Sequence, residues 1–79
     1  MAEEVKAYIL IQTAVNAAHV ANEIRNIKGV EAADDVSGPY DVIVRVSAED
    51  MDALGRLVVA NIQAVEGITR TLTCPIVRL

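Results

Sequence analysis

The chain has 79 residues, which suits one small domain, and no apolar run near the roughly 20 residues that a membrane-spanning helix needs. Hydrophobic residues make up 53% and mean hydropathy is +0.36, more apolar surface than so short a chain can hide in its own core, which points to self-association. A net charge of −4, scattered basic residues, one His and one Cys argue against phosphate-backbone binding, a disulfide framework and a dedicated metal site. The N-terminus "MAEEVK" is acidic and lacks the layout of a signal peptide, so a cytoplasmic location is expected.

Residues 5–11, "VKAYILI", read as a first strand. Thr13 or Asn16 is placed to cap a helix over residues 17–27, where Ala17, Val20, Ile24 and Ile27 recur at three- and four-residue spacing. Gly29 stands where a left-handed C-terminal cap is wanted. A weaker strand follows over residues 30–36, with Val30, Ala32 and Val36 on one side and Glu31 and Asp35 on the other. Ser37, Gly38, Pro39 and Tyr40 form a turn, and residues 41–46 the returning strand of a hairpin. Ser47 and Asp50 fit a capping box for a second helix to about Val65, with Met51, Leu54, Val58, Ile62 and Val65 as its core stripe. Leu57 and Val59 fall partly outside that stripe and suggest a further subunit contact. Gly67 ends the helix and residues 68–77 make a last strand.

"EIRNIKGV" at residues 23–30 and "NIQAVEGI" at residues 61–68 share their apolar positions and their glycine, so each half of the chain is strand, helix, strand. Two such halves give an α+β, ferredoxin-like βαββαβ sandwich: an antiparallel four-stranded sheet in order 4-1-3-2 with two helices on one face. Pro75 suits the last strand as an edge. The first and third strands are apolar on both sides, the first through Tyr8 and Leu10, the third through Ile43. Strands of that kind are buried on both faces, so a sheet-to-sheet dimer through Tyr8, Leu10 and Ile43 is expected.

The sharpest candidate site is "SGPYD". Gly38 and Pro39 shape the backbone, Tyr40 offers an apolar plate with a hydroxyl, and Asp41 an anion able to meet an ammonium. The same residues also serve a plain hairpin turn with a packed Tyr and an Asp bonded to its own backbone. In "TRTLT", Thr69, Thr71 and Thr73 share one face of the last strand, either as hydroxyls for a polar ligand or because Thr favours strands. Glu49, Asp50 and Asp52 read as helix-dipole partners, His19 as an inert helical residue and Cys74 as a small apolar filler.

In their order along the chain, "VKAYILIQT", "IRNIKGV", "SGPYD" with "VIVRV", "IQAVEGI" and "TRTLTCPIV" resemble the effector-binding (RAM) domain of the Lrp/AsnC family of amino-acid-responsive regulators, over essentially residues 1–79. The resemblance implies sheet-facing dimers that assemble into rings of eight or ten subunits, with amino acids bound in clefts between dimers. It places Gly38, Tyr40 and Asp41 in that cleft, with Ser37 and Pro39 beside them and Thr71 and Thr73 approaching from the last strand. Strand signals begin by Val5, so the chain looks like a stand-alone form without the family's helix-turn-helix domain. It is expected to be non-enzymatic, to use no cofactor or metal, to bind no nucleic acid directly, and to modulate full-length Lrp/AsnC regulators. The alternative is a small dimeric α+β barrel enzyme of the cofactor-free monooxygenase or isomerase type; a third reading is a purely structural oligomerisation unit.

Overall fold

Strand alternation decides the layering. The computed structural model describes residues 4–14 and 18–77, in which the elements follow the order βαββαβ. They are β1 (Val5–Thr13), α1 (Ala18–Arg25), β2 (Val30–Asp35), β3 (Val42–Ala48), α2 (Met51–Arg56) continuing as a π-helix (Leu57–Ile62), and β4 (Ile68–Pro75). Asn16 and Ala17, expected as cap and helix start, lie outside the described residues. The sheet order is β2-β3-β1-β4, every pair antiparallel, as the sequence predicts.

On β1, Ala7, Ile9 and Ile11 point to one side, and on β3, Val42, Val44 and Val46 do the same; all six are fully buried. Ile9 lies opposite Val44 at the centre of the sheet. Val20, Ala21 and Ile24 of α1, with Leu54, Leu57, Val58 and Ile62 of the second helical segment, complete the cluster. Removing this apolar area from water is the main favourable term in folding.

Several expectations are corrected. Ala32 does not share a face with the core: a bulge between Val30 and Ala32 inserts one residue, so parity flips, Ala32 is exposed and Ala33 is buried. Arg25 Nε donates to Ala33 O at 2.9 Å and thereby covers part of this edge strand. Ser47 is not the helix cap. It lies in β3 with its N–H donating to Gly29 O at 2.9 Å, and Asp50 caps α2 by accepting from Ala53 N at 2.7 Å. Cys74 is no filler: β4 pairs Thr73 with Ile9, which sends Cys74 to the exposed side opposite Tyr8. Met51, expected in the core, is exposed at the first position of α2.

Leu57, expected outside the stripe, is buried at the start of a π-helix that changes the phase of the residues after it. An unbroken α-helix advances about 100° per residue, which would return Asn61 to within about 20° of Leu54 and leave Ile62 about 80° away. The structure does the reverse: Ile62 is fully buried and Asn61 exposed. Gln63 N donates to Val58 O at 2.8 Å, five residues back, and this wider turn retards the phase so that Ile62 meets the core.

The internal repeat survives as geometry. Ile27 N bonds Ile24 O and Val30 N bonds Ile27 O; shifted by 38 residues, Val65 N bonds Ile62 O and Ile68 N bonds Val65 O. Gly29 and Gly67 stand in equivalent places with φ of 99° and 104°, a region open to glycine and costly for other residues. Ile62→Ala should lower unfolding stability by roughly 2–5 kcal/mol, whereas Asn61→Ala should change it by less than about 0.5 kcal/mol. Urea titration at one fixed protein concentration checks this.

Candidate ligand-binding turn and the open sheet face

The β2–β3 turn is fastened to the end of β1. Val36 N donates to Asp41 O at 2.9 Å, closing the hairpin, and Asp41 N donates to Ile11 O at 2.8 Å. Asp41 Oδ2 accepts from Thr13 N at 2.8 Å and from Thr13 Oγ1 at 3.2 Å. Gln12 Nε2 donates to Pro39 O at 2.9 Å. Ser37, Gly38 and Pro39 are exposed at the tip; Tyr40 and Asp41 are half-buried at its base. Asp41 is therefore a structural fastener first. A carboxylate offers roughly four lone-pair sites, so its two bonds to Thr13 leave capacity for a ligand cation.

Thr71 and Thr73 do not meet this turn. The register sets them opposite Ile11 and Ile9, on the helix side of the edge strand. Thr71 Oγ1 accepts from Gln63 Nε2 at 2.7 Å and helps line a depression of about 300 Å³ with Gln63, Ile68, Thr69 and Arg70. Thr73 opens on a cleft of about 240 Å³ against Met51, Leu54, Gly55, Val58 and Val59. The link between the two groups is Gln12, which holds Pro39 with its side chain while its carbonyl accepts from Thr69 Oγ1 at 3.2 Å. Sequence reasoning passed over Gln12, whose only signal was its polarity after a greasy strand. His19, on α1, bonds Glu66 O through Nε2 at 3.1 Å and so ties the helix to the turn before β4. Among the described residues no group of three or more His, Cys, Asp or Glu is placed to hold a metal ion.

The sheet face away from the helices is open. Leu10 lies opposite Ile43 on one side and Leu72 on the other, an apolar row across three strands. Leu10 and Ile43 are half-buried; Tyr8 and Leu72 are exposed. Beside this row Arg45 Nη1 donates to Tyr8 Oη at 2.7 Å, and its guanidinium carbon lies 5.4 Å from the ring centroid. Glu31 receives Arg45 Nε at 3.0 Å and Lys6 Nζ at 3.2 Å. The Lys6 hydrogen bond, then Arg45, holds the Glu31 carboxyl below its ordinary value of 4.5, and Glu31 in turn raises Arg45.

A carboxyl whose folded pKa is depressed adds stability above its unfolded value and loses it as pH falls through the folded value. Stability should therefore decline from about pH 4.5 downward in the native protein, and less steeply in Glu31→Gln, when urea midpoints are compared across pH. For the turn, Asp41→Ala should cost about 1–3 kcal/mol because Thr13 N loses its acceptor, while Asp41→Asn keeps an acceptor oxygen and should cost less; thermal unfolding ranks them.

The sequence profile described as the Lrp/AsnC ligand binding domain matches residues 6–78. Among solved structures, TTHA0845 from Thermus thermophilus superposes with a TM-score of 0.88 and 29% identity over 95% of both chains. Hypothetical protein PHS023 from Pyrococcus horikoshii gives 0.85 and 28% over 95% of this chain and 92% of its own. AsnC of E. coli has the same fold, TM-score 0.88 at 21% identity, with 95% of this chain matching 52% of that one. A curated relative, homocitrate synthase from Sulfurisphaera tokodaii, is 34% identical over 73 residues, which is 90% of this chain and 16% of that enzyme. No helix among the described residues is long and apolar enough to cross a membrane. With its βαββαβ order, its reinforced β2–β3 turn and a profile match along nearly its whole length, the chain belongs to the Lrp/AsnC ligand-binding domain family.

Proposed function

We propose that this chain is a cytoplasmic, non-catalytic amino-acid-binding module that dimerises through its open sheet face and binds its effector at the β2–β3 turn. The observation that carries the reading is the match of residues 6–78 to a ligand-binding domain, with a rigidly fastened turn at the place where that resemblance puts the effector. NMB0573 from Neisseria meningitidis and Rv3291c from M. tuberculosis, which share this fold at 16% and 19% identity, were each solved with L-methionine, which makes methionine the first ligand to try. Tyr40 would wall the ligand side chain, and Asp41 would accept from its ammonium without releasing Thr13. Ser37, Gly38 and Pro39 would frame the entrance. Thr71 and Thr73 lie on the helix side of β4, so within one protomer they sit apart from the turn and would reach an effector only from another subunit. The apolar row of Leu10, Ile43 and Leu72, with Tyr8 beside it, supports the sheet-facing dimer, because an uncovered row would leave apolar side chains in water.

One observation favours a second reading of what the module acts on. Curated relatives include homocitrate synthases, of which the matched segment is 16% of the length. The module would then report effector occupancy to an enzyme rather than to a DNA-binding regulator of the Lrp/AsnC type.

Calorimetry across the standard amino acids tests the binding. At least one should bind the native protein. Asp41→Asn should weaken it about ten- to a hundredfold, the worth of a charge-assisted hydrogen bond of roughly 1.5–3 kcal/mol. Tyr40→Ala should weaken apolar ligands more than small polar ones. Absence of binding to every amino acid at millimolar concentration sinks the sensor reading and leaves a structural oligomerisation unit. For the dimer, Leu10→Asp should lower the sedimenting mass, because it places an unpaired charge in the buried face.

A further inference from the structure

Thr71 and Thr73 face the helices, but Arg70, one residue before Thr71, does not. The register sets Arg70 opposite Gln12, in the same run that pairs Leu72 with Leu10 and Cys74 with Tyr8, so Arg70 stands on the open side of the sheet. Gln12 is the residue that holds the β2–β3 turn, through Pro39 O at 2.9 Å. Its own carbonyl is fixed by Thr69 Oγ1, one residue before Arg70. Arg70 is thus a cross-strand neighbour of the residue that fastens the turn, within one chain. It is exposed and takes no part in the ion pairs found among the described residues. The other strand arginine, Arg45, is committed to Glu31 and Tyr8.

Asp41, Gln12 and Arg70 run across the ends of β3, β1 and β4 as an anion, a neutral amide and a cation. Both bonds from Thr13 fall on Oδ2 of Asp41, which leaves Oδ1 to accept from an ammonium. Neighbouring strands lie about 4.8 Å apart, so the backbones that carry the two charges are roughly 10 Å apart with Gln12 between them. A free α-amino acid holds its ammonium nitrogen and its carboxylate carbon about 2.5 Å apart, and a charge-assisted hydrogen bond of about 2.8 Å at each end extends the chain of contacts to roughly 8–9 Å. That length fits across Gln12, and the order of charges matches the order of the strands. Arginine suits the carboxylate end, because its planar guanidinium presents two parallel N–H donors to the two oxygens. We propose that Arg70 is the binding residue for the α-carboxylate of the effector, with Asp41 taking the ammonium and Gln12 as the spacer beneath. The proposal rests on the reading of the β2–β3 turn as an amino-acid site, and it narrows the ligand class. The site takes compounds that carry a free ammonium and a free carboxylate on one carbon. Carboxamides, esters and amines with the same side chain lack the group that Arg70 recognises.

Calorimetry with each standard amino acid and its α-carboxamide, on the native protein and on Arg70 variants, tests this. The native protein should bind its best amino acid about tenfold or more tighter than the matching carboxamide. Arg70→Gln should weaken the amino acid about tenfold or more and leave the carboxamide within about twofold, so that the discrimination disappears. Arg70→Lys keeps the charge without the fork and should recover part of it. Arg70→Glu should reverse the preference, since the carboxamide carries only the positive charge. The melting temperature of Arg70→Gln should match that of the native protein, because an exposed side chain outside the ion pairs is lost; this separates recognition from folding. If an amino acid binds the native protein and Arg70→Gln binds it as tightly, or loses amino acid and carboxamide alike, the assignment of Arg70 is overturned and the reading of the turn stands. If no amino acid binds the native protein, both fall together.

Discussion

The register of β1 against β3 is the constraint on which the other features depend. Ile9 faces Val44 and Ile11 faces Val42 beneath the helices, while Leu10 faces Ile43 and Tyr8 faces Arg45 on the opposite side. Side chains alternate with a period of two, so a slip by one residue would exchange the two sets. It would expose Val42, Val44 and Val46 and bury Arg45. The same register brings Asp41 N to Ile11 O and the Asp41 carboxylate to Thr13. The candidate site is thus a by-product of core packing: the turn is held because the strands leading to it cannot slide.

Two local departures from regular structure keep that core closed. The bulge in β2 turns Ala33 inward and lets Glu31 reach both Lys6 and Arg45 on the open face. The π-helix brings Ile62 into the core beside Leu57 and Val58. Each adds one residue to a repeat, one to a strand and one to a helical turn, and each changes which neighbouring side chain meets the core.

The charged cluster on the open face and the carboxylate at the turn follow one logic. Glu31 is exposed and shared by two cations, which makes it a surface network of modest energy that orients Arg45 over Tyr8. Asp41 is half-buried and receives a backbone N–H, which makes it costly to remove. A face that mixes an apolar row with oriented polar groups is suited to a specific partner, since the row supplies area and the polar groups set the orientation.

Periodicity in the sequence was enough for the βαββαβ order, the sheet order and most of the core. These depend on local alternation and on two glycines that recur 38 residues apart, and both can be read one segment at a time. The turn "SGPYD" was legible as a turn for the same reason. Tertiary structure decided the rest. Asp50 rather than Ser47 caps α2 because Ser47 is taken up by β3 and its bond to Gly29. Cys74 is exposed because pairing with β1, not its hydrophobicity, sets the parity of β4. Thr71 and Thr73 are parted from the turn, and Gln12 joins it, through cross-strand neighbours far away in the sequence. Periodicity reports which side a residue takes within its own element; which partner stands on that side depends on pairing between distant segments, and only the folded chain specifies that pairing.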